Sequence, residues 1–320
     1  MMATAFVFPG QGAQYLGMGR ELFERYTVAK ETFQEADAAL GFELSKLIFD
    51  GPESDLRLTY YTQPALLTVS IACLRVLQAE MDFSPDVVAG HSLGEYSALV
   101  AANALPFRDA VRIVHLRGTY MDEAVPAGIG AMAALLGGDR QQIEQLCADI
   151  SLHHELPVEI ANVNCPGQLV VSGGAQTLEE LVMRAKEAQV KRAIRLDVSG
   201  PFHSTLMRKA KEKLMAVLNK QIFTAPRCPV VVNFSAKPVT TIEGIEEALA
   251  QQVASPVLWE ASIQEMIALG TTTFIELGPG TVLSGLIKKT DKSARLLHVE
   301  DVSSLTATTA ALLQGEEEPS

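Results

Sequence analysis

Between Asp86 and Leu99 the chain passes from an apolar, β-prone run, Val87-Val88-Ala89, through Gly90-His91-Ser92-Leu93-Gly94 into a helix-forming run, Glu95-Tyr96-Ser97-Ala98-Leu99. A strand that turns this abruptly into a helix limits the fold more than any other stretch. It needs glycines, because a Cβ at either flank would crowd the turn. It leaves a serine hydroxyl exposed at the carboxyl end of a strand, as in a G-x-S-x-G nucleophile elbow. The turn also sets Ser92 at a helix N-terminus, where unpaired N–H groups and the dipole favour developing negative charge. The Leu93 N–H is then a natural oxyanion-hole donor.

The flanking pattern fits that turn. Ala5-Phe6-Val7-Phe8 reads as a buried strand ending at Pro9-Gly10. The glycine-bracketed loop 9–14 should leave the same sheet edge as the elbow, so the Gln11 N–H is a second oxyanion-hole candidate. Helical spacing is found at 28–40, 64–81 (with Pro64 in the first turn), 93–103 and 107–124. From Gly128 to Ser199 the order becomes strand 130–137, helix 139–149, strand 158–164, strand 168–173, helix 176–189 and strand 193–199. This is the βαββαβ plan of a ferredoxin-like unit. Alternation then resumes with helix 203–218, strand 229–234, helices 244–253 and 256–269, strand 273–277, helix 280–289 and strand 295–299. The expected fold is α/β: a largely parallel, hydrolase-like sheet covered on both faces, built from 1–127 and 200–320, with residues 128–199 inserted as a small subdomain. Gly315–Ser320 reads as a solvated, frayed end.

Composition narrows the function. A net charge of −12 disfavours a nucleic-acid partner, and any anionic ligand must meet a local basic patch. The four cysteines form no CxxC pair or zinc spacing, and read as reduced, mostly buried thiols; no metal is expected. No apolar run reaches about 18 residues and the start lacks a signal-peptide pattern, so a cytoplasmic protein without a membrane span is expected.

A serine hydroxyl needs a base. Of the six histidines, His91 adjoins Ser92, but neighbours on a sharp turn point apart. His115 lies on a helix face that cannot be placed, His153 and His154 read as a solvated loop, and His298 as part of a short strand. His203, in the breaker-rich segment Ser199-Gly200-Pro201-Phe202-His203-Ser204, is the best candidate. Acids such as Asp197 lie between Ser92 and His203, but none is singled out, and a dyad oriented by a carbonyl or an amide fits at least as well. Arg117 stands in helix 107–124 among Val111, Ile113, Val114, Leu116 and Met121. Pointing inward, it would be a rigid fork for a carboxylate; pointing outward, it would face solvent or pair with Asp122 or Glu123.

Together these segments resemble the malonyl-CoA:acyl carrier protein transacylases of bacterial fatty acid synthesis. The resemblance runs from about residue 3 to 300. It rests on Phe8-Pro9-Gly10-Gln11-Gly12-Ala13-Gln14, Thr62-Gln63-Pro64-Ala65, residues 90–99, Arg117-Gly118, Asn162-Val163-Asn164-Cys165-Pro166-Gly167-Gln168, Gly200-Pro201-Phe202-His203-Ser204, Ser255-Pro256-Val257-Leu258-Trp259 and Glu276-Leu277-Gly278-Pro279-Gly280. It implies Ser92 as nucleophile, His203 as base, and the Gln11 and Leu93 N–H groups as the oxyanion hole. It further implies a Gln252 carbonyl orienting His203, and Arg117, Gln63, Asn162, Phe202 and Met121 binding the acyl substrate. Phe202 before His203 and Leu93 after Ser92 resemble the malonyl-type pattern.

The implied reaction is ping-pong transfer from malonyl-CoA to the phosphopantetheine thiol of acyl carrier protein, by a monomer without a cofactor. Because carrier proteins are acidic, Lys191-Arg192 and Lys288-Lys289 are candidates for docking one. The competing readings are a malonyl acyltransferase serving a polyketide synthase, a hydrolase of acyl carrier proteins, and a carrier-binding scaffold without activity. Intact Ser92, His203 and Arg117 weigh against the scaffold, and a carboxylate clamp at Arg117 weighs against the hydrolase.

Overall fold

The computed structural model describes residues 3–126 and 128–316. Its strands are β1 (Ala3–Phe8), β2 (Val87–Gly90), β3 (Gly130–Gly137), β4 (Val158–Cys165), β5 (Gln168–Gly174), β6 (Val190–Arg195), β7 (Val230–Val231), β8 (Pro238–Val239), β9 (Thr271–Leu277) and β10 (Arg295–Val299). They form a six-stranded sheet in the order β10-β9-β1-β2-β7-β8 and a four-stranded sheet in the order β4-β5-β3-β6. The large sheet is parallel except where β8 turns back on β7.

The unbroken apolar run of β1 follows from burial on both faces. Phe6 and Phe8 pack with helices Thr27–Leu40 and Thr59–Glu80, whereas Ala5 and Val7 face Trp259, Ile263 and Leu286. In the small antiparallel sheet β5 lies between β3 and β4, and β3 between β5 and β6, the split arrangement expected of βαββαβ. Helices Arg140–Ser151 and Ala175–Arg184 cover one face through Ile143, Leu146, Leu178 and Leu181. The other face, carrying Met132, Ala134 and Val170, lines a cleft above the large sheet. A backbone seam ties β4 of the small sheet to the segment that precedes helix Trp259–Ala268: Val163 N–H donates to the Val257 carbonyl at 2.9 Å, and Val257 N–H to the Ala161 carbonyl at 2.8 Å.

Several expectations need correction. Pro64 lies inside helix Thr59–Glu80, not in its first turn. Proline cannot donate to the carbonyl four residues back; His115 Nδ1 meets that Tyr60 carbonyl instead, at 2.7 Å, which also gives His115 its place. The segment expected as helix from 203 begins as a 3-10 turn, Thr205–Met207, before helix Arg208–Leu218, because His203 has a φ of 57° that no right-handed helix accommodates. The last strand of the small sheet is Val190–Arg195 rather than 193–199. A register shift at Leu136/Gly137 admits Val190 to the ladder; Leu196 keeps one bond, its N–H to the Met132 carbonyl at 2.9 Å, and residues 196–198 form the cleft rim. His154 is not simply solvated: its Nε2 lies 2.7 Å from Glu180 Oε2. Helix Val302–Glu316 was not anticipated, and it includes the start of the segment expected to fray. Residues 317–320, and residue 127 at the expected domain boundary, lie outside the described residues.

Candidate active site

β1 and β2 are parallel neighbours with Phe8 opposite Gly90, so loop 9–14 and the elbow leave one sheet edge together. Their packing dictates the glycines. A Cβ on Gly90 would come within 1.9 Å of the Gly94 carbonyl, and one on Gly94 within 2.1 Å of the Phe8 oxygen. Ser92 itself has φ 50°. That conformation costs an L-residue about 1–3 kcal/mol and persists only where the surroundings impose it. The Ser92 N–H donates to Asn233 Oδ1 at 2.6 Å. The N–H groups of Leu93 and Gln11 donate to no other group among the described residues, and both residues line the cleft.

His203, 4% exposed and also left-handed, sets Nε2 2.7 Å from Ser92 Oγ. Its Nδ1 lies 3.0 Å from the Gln252 carbonyl. A carbonyl only accepts, so Nδ1 carries the hydrogen and the Nε2 lone pair faces the serine hydroxyl. Burial, and then the positive charge of Arg117, pull the imidazole down to about 3, so it is neutral at physiological pH. Asp197 takes no part: its side chain is 91% exposed and lies 3.3 Å from Arg57.

Arg117 points inward and is 1% exposed. Nη1 donates to Gln63 Oε1 at 2.8 Å; Nη2 donates to Gln252 Oε1 at 3.0 Å and reaches Ser92 Oγ at 3.2 Å. The guanidinium carbon stands 5.7 Å from the centre of the Tyr96 ring. The alternative partners are occupied elsewhere, Glu123 by Lys213 and Asp122 by Ser199. None of the ion pairs among the described residues includes Arg117. Burial lowers its pKa from a very high starting value, and a guanidinium stays charged. A buried cation held by two amides, the Ser92 hydroxyl and the Tyr96 ring, with no carboxylate bonded to it, suits a small carboxylate.

The cleft has a volume of about 480 Å3 and draws its walls from both sheets. Gln63, Met121, Phe202 and Asn162 line it, as the resemblance implies, and Gln63 Nε2 lies 3.4 Å from Met121 Sδ. His91 turns from the serine toward the small sheet. Its Nε2 sits 2.9 Å from Asn164 Oδ1 and 3.5 Å from Asn162 Nδ2, and its ring meets Trp259 edge-on. Of the basic candidates, all exposed, Lys289 reaches Gln168 Oε1 at 3.5 Å on the cleft wall. Arg192 pairs across Leu136 with Gln168, and residues opposite one another on antiparallel strands share a face, here the cleft face. Lys191 packs on Gly137, and Lys288 bonds the Lys292 carbonyl.

Sequence reasoning missed Asn233, Asn164 and the side chain of Gln252. Asn233 follows β7, which pairs with β2. A polar residue just past a strand beside the elbow strand is the signal that could have found it, but strand order does not show in a sequence.

An acyl transferase domain model matches residues 5–314. The chain is 52% identical over 301 residues to the malonyl CoA-acyl carrier protein transacylase of Bacillus subtilis, covering 94% of each chain. It superposes with a TM-score of 0.92 on the acyl carrier protein S-malonyltransferase of Vibrio cholerae, at 44% identity and covering 96% of this chain and 99% of that one. A malonyl-transacylase solved in complex with its type II polyketide acyl-carrier protein matches with a TM-score of 0.93 at 40% identity, covering 97% and 99%. With the same fold and nearly the whole length matched, the chain belongs to the malonyl CoA-acyl carrier protein transacylases.

Proposed function

We propose that the chain moves malonyl from malonyl-CoA to the phosphopantetheine thiol of acyl carrier protein through a malonyl-Ser92 ester, in fatty acid biosynthesis. Ser92 Oγ attacks the thioester carbonyl while His203 Nε2 takes its proton, and the Gln252 carbonyl holds Nδ1–H. The Leu93 and Gln11 N–H groups receive the tetrahedral oxyanion. The intermediate collapses, the C–S bond breaks, and coenzyme A leaves as a thiol with the proton from His203. The carrier thiol then gives its proton to His203 and attacks the ester. Ser92 Oγ departs and recovers the proton. Arg117 grips the malonyl carboxylate with both terminal nitrogens, with Gln63, Met121, Phe202 and Asn162 around it.

The observation that carries this reading is a buried, ion-pair-free Arg117 within 3.2 Å of Ser92 Oγ. An acyl group without a carboxylate would leave that cation with no anion bonded to it, only the more distant Glu95 carboxyl nearby. In this reading the units 1–127 with 200–320, and 128–199, act as the two walls of the cleft. One chain suffices, since every group named above comes from it, and four free thiols suit a reducing, cytoplasmic setting.

Intact-protein mass spectrometry after brief mixing with malonyl-CoA, with acetyl-CoA in parallel, tests it. A malonyl adduct absent from Ser92→Ala, with little acetyl adduct, is expected. Equal labelling by both thioesters would remove the carboxylate selector. Free malonate without an adduct would point to a hydrolase.

A further inference from the structure

Asn233 is 0% exposed and has no place in the reaction just described, yet its polar atoms are all engaged around the elbow. Its Oδ1 accepts the Ser92 N–H at 2.6 Å, and its Nδ2 donates to the Gly90 carbonyl at 2.7 Å. Its own N–H donates to Glu95 Oε2 at 2.6 Å, and its carbonyl accepts the Leu258 N–H at 3.0 Å. The amide therefore spans the left-handed turn, gripping the residue before His91 and the residue after it. Glu95 is 0% exposed and sits in the first turn of helix Gly94–Ala101, which starts from the elbow. A buried carboxyl is costly and is kept where its hydrogen bonds matter.

We infer that Asn233, anchored by Glu95, is a positioning residue that holds Ser92 in its left-handed turn, so that Oγ meets His203 while the Ser92 N–H is kept out of the cleft; this rests on Ser92 being the nucleophile. Two consequences separate this role from general support of the fold. Loss of the amide should slow ester formation without weakening the grip on malonyl-CoA, because Arg117 and Gln63 are held by other bonds. Glu95 accepts the Asn233 N–H, and the Gln252 amide and the Arg117 charge also favour its anion; since its part in positioning is that of an acceptor, a neutral amide should replace it. Burial already pushes its carboxyl up to about 7, which makes an uncharged substitute tolerable.

The test is rapid-quench mass spectrometry of malonyl-Ser92 formation in the parent, Asn233→Ala, Glu95→Gln and Glu95→Met, with malonyl-CoA affinity measured by calorimetry on each change in a Ser92→Ala background. We expect Asn233→Ala to slow acylation about 100-fold, the cost of a misplaced reacting atom, while affinity moves less than about threefold. Glu95→Gln should recover most of the rate that Glu95→Met loses. Acylation of Asn233→Ala within about threefold of the parent, or an affinity that falls as steeply as the rate, would overturn the assignment. If Asn233→Ala does not melt cooperatively, the Glu95 pair decides: equal rates for Gln and Met overturn the positioning chain. A parent that takes no malonyl on Ser92 would instead remove the nucleophile, a separate and visible failure.

Discussion

Gln252 orients His203 through its backbone: the carbonyl meets Nδ1 at 3.0 Å. Its side chain has other work, with Oε1 accepting from Arg117 Nη2 at 3.0 Å and Nε2 donating to the Ser92 carbonyl at 2.9 Å. Gln252→Ala should therefore leave the base oriented and loosen the clamp. The expected result is a roughly tenfold loss in kcat/KM for malonyl-CoA, about the value of one buried charge-assisted bond, together with reduced discrimination against acetyl-CoA. A variant that is slow with both thioesters to the same degree would mean that the side chain serves the base after all.

The pH dependence follows from His203. Its folded pKa, about 3, lies below the ordinary 6.5. The folded chain thus binds fewer protons than the unfolded chain between these values. The imidazole's contribution to stability is full above 6.5 and is lost as pH falls toward about 3. Malonyl loading should accordingly lack the acid limb of an ordinary histidine when followed by stopped flow downward from about pH 8. A limb near 7 would belong to Glu95, whose carboxyl burial raises to about 7, and should disappear in Glu95→Gln.

Carrier docking can be read by charge reversal. Lys289 reaches Gln168 on the cleft wall, and Arg192 shares that face two strands away, across Leu136. Arg192→Glu combined with Lys289→Glu should raise the KM for the carrier protein about tenfold at low salt, more than the KM for malonyl-CoA, and the gap should narrow as salt screens it. A carrier KM equal to the parent's at low salt would remove this face from the docking surface. Lys191→Glu with Lys288→Glu provides the comparison, since neither side chain bonds Gln168: Lys191 packs on Gly137 and Lys288 bonds the Lys292 carbonyl.

His115→Phe isolates the repair at Pro64. It keeps an aromatic ring against Phe42 and Tyr61 and removes the donor to the Tyr60 carbonyl. A part-buried carbonyl left without a partner costs up to about 1 kcal/mol, so the melting temperature should fall by a few degrees. An unchanged melting temperature would show that water or another donor replaces the imidazole.

Much of this was legible in the sequence because its cause is local. The elbow, the loop at Gln11 and the βαββαβ order each depend on a few adjacent residues and on turn chemistry. His203 could be singled out by its breaker-rich loop taken with the elbow and the family resemblance, whereas Arg117 rested on the resemblance, its helix leaving both directions open. What stayed hidden depends on strand order and side-chain direction. Nothing near residue 233 says that β7 runs beside β2, and the apolar face of helix 107–124 does not say that Arg117 points into it. Pro64 misled for a related reason: proline suits a first turn in isolation, and only a histidine on another helix makes it tolerable further in.

The backbone seam between Val163 and Val257 bears on redesign. A flap that opens on a loop hinge can widen to accept a bulkier guest. Here the small sheet is stitched to the chain segment that leads into Trp259 and, through that ring, to His91. Widening the gap would mean unzipping main-chain bonds, so engineering for longer or branched acyl groups should recarve the inner lining at Met121, Phe202 and Asn162 rather than loosen the jaws.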